Sequence, residues 1–189
     1  MREKYLKLIL DLDFQIGTEL ENITRIINEG LPSEKRQRFY YEQISERNIP
    51  GYILREARKA FEYSRNKLGL KNLRLKWWQR SMALRRHYEF DCPVYGQADT
   101  VGGNEIGVRW DIPLKEVKYT ILHEAFHLWF KKTRGNKYPI EKEADYWEET
   151  ADVWARKAML DLGIEGLKKE KKVEYPIELK MVEEDPMIK

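Results

Sequence analysis

Apolar positions in the first seventy residues recur at three- and four-residue steps. Tyr5, Ile9, Leu12, Ile16, Leu20, Ile23 and Ile27 draw one stripe, which predicts a long amphipathic helix stopped by Gly30-Leu31-Pro32. A second helix is predicted from near Ser33, whose hydroxyl can cap, to just before Asn48-Ile49-Pro50-Gly51. A third carries Ile53, Ala57, Ala60, Phe61, Ser64 and Leu68 and ends at Gly69. Beyond residue 70 the period falls to two. Leu73, Leu75 and Trp77 alternate with Arg74 and Lys76, and Met82, Leu84, Tyr88 and Phe90 share one face of a segment over 82–90. Val94 to Val101 is a weaker strand. After the turn Gly102-Gly103-Asn104, Ile106, Val108 and Trp110 alternate with Glu105, Gly107 and Arg109. Three or four strands are expected, the last two as a hairpin.

Asp111 and Pro113 open the next helix, where the missing proline N–H costs nothing. Lys131, Lys132 and Arg134 complement the dipole at its far end, and Gly135 terminates it. Pro139 opens another helix reaching about Leu162, before Gly163. The expected class is α+β. A helical N-terminal region spans 1–70, a sheet-and-helix domain 71–162, and a loosely structured tail 163–189, which holds a charge run and two prolines.

Composition narrows the setting. The 189 residues suit one ordinary domain or a domain with an appended module. A 42% hydrophobic share with six Trp, eleven Tyr and six Phe supports a real core. No apolar run approaches the roughly 18 residues that cross a bilayer. The charged N-terminus does not read as a signal peptide, so a cytoplasmic location without membrane attachment is the expectation. One cysteine, Cys92, leaves no disulfide framework and no cysteine-rich zinc knuckle. Charged residues of both signs make up 35% of the chain at a net charge of +3, which does not demand a nucleic acid.

The candidate chemistry lies in His123-Glu124-Ala125-Phe126-His127, which holds two of the three histidines. Residues four apart share a helical face, so both imidazoles can reach one cation, and Glu124 can reach a water on it. From Tyr119 to Phe130 the helix is apolar almost all round except for Thr120 and these polar residues, which predicts a buried helix. Buried imidazoles and carboxylates must be paired or metal-bound.

A catalytic zinc usually takes three protein ligands. No third histidine follows at short spacing, so a carboxylate of the next helix is expected. Ile140, Ala144, Trp147, Ala151, Trp154, Ala158 and Leu162 form that helix's core stripe, bordered by Glu141, Asp145, Glu148 and Asp152, with Glu149 on the opposite side. His127 sits roughly 10 Å before the end of its helix. An antiparallel return therefore favours Asp145 or Glu148 over Glu141, and Glu148 has the longer arm. Asp152, one turn on, can hydrogen-bond a ligand histidine. Glu148 is the first choice; Asp145, Glu141, Asp152 and Glu149 stay open.

HEAFH followed by Glu148-Glu149-Thr150-Ala151-Asp152 and Trp154-Ala155 resembles the gluzincin zinc metallopeptidases, and is similar to their small ImmA/IrrE-type members. The resemblance covers roughly residues 104–162. It implies a zincin-like domain with a small sheet, an active-site helix and a glutamate helix. It further implies Zn2+ held by His123, His127 and Glu148, with Glu124 as general base of an endopeptidase acting on a protein or peptide. Tyr138, Tyr146 and His87 are candidates for stabilising the oxyanion. Residues 104–110 are expected to pair with an extended substrate, with Gly107 permitting close approach.

Two other functions fit the same residues. One is a non-catalytic or regulatory zinc module. The other is a DNA-associated, SprT-like protease, for which Arg25, Lys35, Arg36, Arg38, Lys71, Arg74, Lys76, Arg80, Arg85 and Arg86 supply basic surface near Trp77 and Trp78.

Overall fold

The computed structural model describes residues 2–32, 35, 38–81, 88–90, 93–99, 103–134 and 141–164. In chain order the elements are α1 (Arg2–Glu29), β1 (Phe39–Ile44), a 3₁₀ turn (Glu46–Asn48), α2 (Gly51–Lys67), β2 (Arg74–Arg80) and β3 (Tyr88–Phe90). These are followed by β4 (Gly96–Ala98), β5 (Glu105–Arg109), α3 (Leu114–Arg134) and α4 (Glu141–Asp161). The class is α+β, with helices packed on one mixed sheet. Among the described residues, no helix is long and apolar enough to cross a membrane.

The strands lie in the order β3-β1-β2-β5-β4. β1 runs antiparallel to β2 and β3, β2 and β5 are parallel, and β4 returns antiparallel to β5 along the edge. The expected β4–β5 hairpin is present. The sheet has one strand more than expected, because the segment read as a second helix contains β1. Phe39-Tyr40-Tyr41 is aromatic and fits a half-buried pleated surface, and Phe39 and Tyr41 point into the core while Tyr40 and Glu42 lie between. Cross-strand contacts outweigh the helix-forming residues that precede them. Gln43 stands opposite Trp78, and Gln79 donates to Glu42 at 2.6 Å.

α3 is the central helix. Val117, Ile121, Leu122, Ala125 and Leu128 are buried against β4, β5, α2 and α4. Val117, Ile121, Leu122 and Leu128 each contribute roughly 1.5–3 kcal/mol through burial. Alanines on both neighbours, Ala57 and Ala60 of α2 and Ala151, Ala155 and Ala158 of α4, are buried and let the three helices approach closely. Polar contacts set their register: Lys118 of α3 meets Glu56 of α2 at 3.2 Å, and the Tyr63 hydroxyl of α2 donates to Asp161 of α4 at 2.5 Å. Gly69 ends α2 in the left-handed region (φ 64°), with Leu70 N–H bonded back to Arg65 O.

α1 lies against this body through one face. Phe14 meets Trp110 edge-on at 5.6 Å, and Glu21 accepts from Arg109 Nη1 at 2.6 Å. Arg109 is itself buried, and Asp111 holds the other side of its guanidinium at 2.9 and 3.1 Å.

Candidate metal centre

His123 and His127 stand one turn apart on α3, as the HEAFH spacing predicts, with their Nε2 atoms 2.9 Å apart and their rings nearly perpendicular. α4 returns antiparallel: Tyr119 meets Asp152, His123 meets Glu148, and Phe130 stacks on Trp147. This return brings Glu148 to both imidazoles, with Oε2 3.1 Å from His123 Nε2 and Oε1 3.3 Å from His127 Nε2. One donor atom from each of the three residues lies within 4.8 Å of the others. Two imidazole nitrogens and a carboxylate converging on one point form a donor set that suits zinc.

Two of the alternatives, Asp152 and Glu149, separate from Glu148. Asp152 stands behind His123, its Oδ1 2.9 Å from Nδ1 but off the line of a hydrogen bond, and it takes the Tyr119 hydroxyl at 2.5 Å. A carboxylate on that side favours the tautomer with its proton on Nδ1, leaving Nε2 to ligate. Glu149 is exposed and takes no part in the cluster. The side chains of Glu141 and Asp145 lie outside the described residues, as do His87, Cys92 and Tyr138. Tyr146 is two residues from Glu148, hence on the opposite side of α4, and does not line the cleft described below.

The imidazoles and carboxylates of the cluster shift one another's protonation. The two imidazoles that bond Glu148 hold its carboxyl well below the usual carboxylate range. Burial alone would lower the His123 pKa, but Glu148, together with Glu124 and Asp152, more than offsets it and the net shift is upward. Glu124 moves the other way from Glu148. Loss of surrounding water pushes its carboxyl up, against the pull of His123, His127 and a hydrogen bond from the Ala98 backbone.

That backbone contact defines the cleft. Tyr95 O accepts from Arg109 N–H, and Asp99 N–H donates to Glu105 O, so the alternate residues Gly96 and Ala98 turn their N–H and C=O groups away from β5. β4 therefore forms the sheet edge beside Glu124. Residues 104–110 do not: β5 lies between β2 and β4, and Gly107 accommodates the ring of Trp78, which a Cβ there would meet at 2.4 Å. The open edge is therefore one strand further out than the sequence pattern predicts. At this edge Gly96 demands a close approach, since its Cβ would lie 2.3 Å from Thr120 Cγ2 on α3 and 2.9 Å from Gly107 O.

A cleft of about 440 Å³ runs along this edge, with His123, Glu124, Tyr119 and Asp152 on one wall and residues 93–96 on another. Asn22 and Arg25 of α1 also line it. Tyr119 was legible as the residue four before His123; the α1 pair was not, because only the tertiary fold brings it here. No family model matches the chain, and neither a curated protein nor a solved structure matches it.

Proposed function

We propose that this protein is a zinc-dependent endopeptidase of zincin-like design, with His123, His127 and Glu148 as ligands and Glu124 as general base. One observation carries the reading: two imidazoles and a carboxylate from neighbouring helices converge next to a second, crowded carboxylate, at the open edge of a sheet. Zinc bound there supplies Lewis acidity, which makes water a nucleophile near neutral pH and draws charge from a peptide carbonyl.

The chain's own residues do the rest. Glu124, with its carboxyl shifted up by burial, takes the proton of the attacking water on its carboxylate and gives it to the leaving amine nitrogen. The Ala98 N–H orients that carboxylate. Gly96 offers its N–H and C=O to an extended peptide, which would lie along β4 as an added strand. Asp152 and Tyr119 hold the His123 ring.

Among the described residues, four of the basic side chains that would support a DNA-associated role are engaged with carboxylates. Arg25 pairs with Glu29, Arg74 and Lys76 with Glu105, and Arg80 approaches Glu21. A peptide is therefore the preferred substrate class. The test is digestion of a peptide pool by zinc-loaded protein and by Glu124→Gln. Cleavage is expected to fall roughly 100- to 10,000-fold in the variant, with zinc content unchanged. Zinc uptake with no cleavage by the wild-type protein would leave only a metal-binding module.

A further inference from the structure

We propose that α1 pairs with α1 of a second copy, antiparallel, making this protein a homodimer. The helix has two opposed faces. Phe14, Glu21 and Asn28, seven residues apart, are buried against the domain, whereas Tyr5, Ile9, Leu12, Ile16, Leu20, Ile23 and Ile27 face outward. Each of those seven is 50–62% exposed, as are Leu6, Leu8 and Ile26 on the flanks. The buried pair of Glu21 and Arg109 holds α1 in this orientation, because turning the stripe inward would pull a carboxylate away from a buried guanidinium.

The exposed area is that of an interface. Ten half-exposed large side chains at roughly 100 Å² each present on the order of 1,000 Å² of apolar surface. The largest patch on a typical monomer is about 300–600 Å², and a standard interface buries about 800 Å² per partner.

The spacing identifies the occupant. The stripe advances by four, three, four, four, three and four residues, an eleven-residue pattern repeated twice. That period stays close to the helix's own, so the stripe keeps to one side over about 33 Å. Read backwards, the series is the same. An antiparallel copy centred on Ile16 therefore sets Tyr5 against Ile27, Ile9 against Ile23, Leu12 against Leu20 and Ile16 against itself, with no gap in any layer. The helix dipoles favour the same direction, since they oppose in an antiparallel pair and align in a parallel one.

Sedimentation equilibrium of the full chain tests this. The wild type is expected to have twice the chain mass, and Ile16→Glu, which places two carboxylates face to face at the two-fold axis, is expected to halve that mass. Ile16 is 62% exposed within one chain, so the variant should keep the wild-type circular dichroism spectrum. In a Cys92→Ser background, Ile16→Cys should form a disulfide-linked dimer on oxidation. Tyr5→Cys should cross-link to Ile27→Cys in a mixture but not to itself. A monomer at every concentration, whether residues 165–189 cover the stripe or vesicles bind it, would overturn the proposal. So would a dimer indifferent to Ile16→Glu, or self-cross-linking of Tyr5→Cys. None of these readouts depends on zinc or on hydrolysis.

Discussion

Asp152 on α4 stands 2.9 Å from Nδ1 of His123 on α3, while its carboxylate also takes the hydroxyl of Tyr119 at 2.5 Å. The contact lies on the side of the ring away from Glu148. Asp152 should therefore act on the metal through His123. Asp152→Ala is expected to weaken zinc binding roughly 10- to 100-fold with the fold intact. Glu148→Ala, which removes a ligand, should weaken it further. Competition with a chromogenic chelator ranks the two. Equal affinities for Asp152→Ala and wild type would remove Asp152 from the site.

Gly96 marks the seam between the edge strand and α3. A Cβ there would meet Gly107 O at 2.9 Å and Thr120 Cγ2 at 2.3 Å, and the first is backbone that cannot step aside. Gly96→Ala is expected to push β4 outward, cost about 1–3 kcal/mol of stability and reduce cleavage by more than stability alone accounts for. Urea unfolding beside a peptide assay separates the two effects.

Arg109 joins three parts of the fold, with Glu21 of α1 on one side, Asp111 on the other and the Tyr41 ring 4.9 Å away. Among the described residues, Arg109→Met would leave the buried Glu21 carboxylate facing only Arg80, at 3.7 Å. A loss of about 3–5 kcal/mol is expected, together with early proteolysis within α1. Unfolding curves and a timed tryptic digest check both.

Tyr41 is buried in β1, and its hydroxyl takes the Val94 N–H at 3.1 Å. Burial, against the pull of Arg109 and with the push of Glu21, raises its pKa to about 12. The unfolded chain gives up this proton near pH 10. The stabilisation is thus intact below pH 10 and declines as pH rises towards 12, with a slope approaching about 1.4 kcal/mol per pH unit. Tyr41→Phe should flatten the decline of the urea midpoint across that window.

Local pattern carried much of this fold. The stripe of α2, the termination at Gly69, the β4–β5 hairpin and the buried α3 with His123 and His127 on one face all follow from spacing within one segment. Helical phase and an antiparallel return also sufficed to bring Glu148, rather than Glu149, to the two imidazoles. What stayed hidden was non-local. Residues 33–38 favour a helix and masked the strand at Phe39–Ile44, whose stability comes from Trp77 and Trp78 across the sheet. A period of two identifies β5 as a strand without naming its neighbours, so the pattern points to Gly107 where the fold has Gly96 at the open edge. The approach of Asn22 and Arg25 to the cleft depends on Glu21 meeting Arg109, 88 residues away in sequence.

The zinc K-edge absorption spectrum of the loaded protein bears most directly on the proposed centre. Two imidazole nitrogens at about 2.0–2.1 Å with the remaining ligands oxygen are expected, and one imidazole should be lost from the spectrum in His127→Ala. A sulfur ligand, a shell of oxygens alone, or a spectrum unchanged by His127→Ala would contradict the assignment of His123, His127 and Glu148.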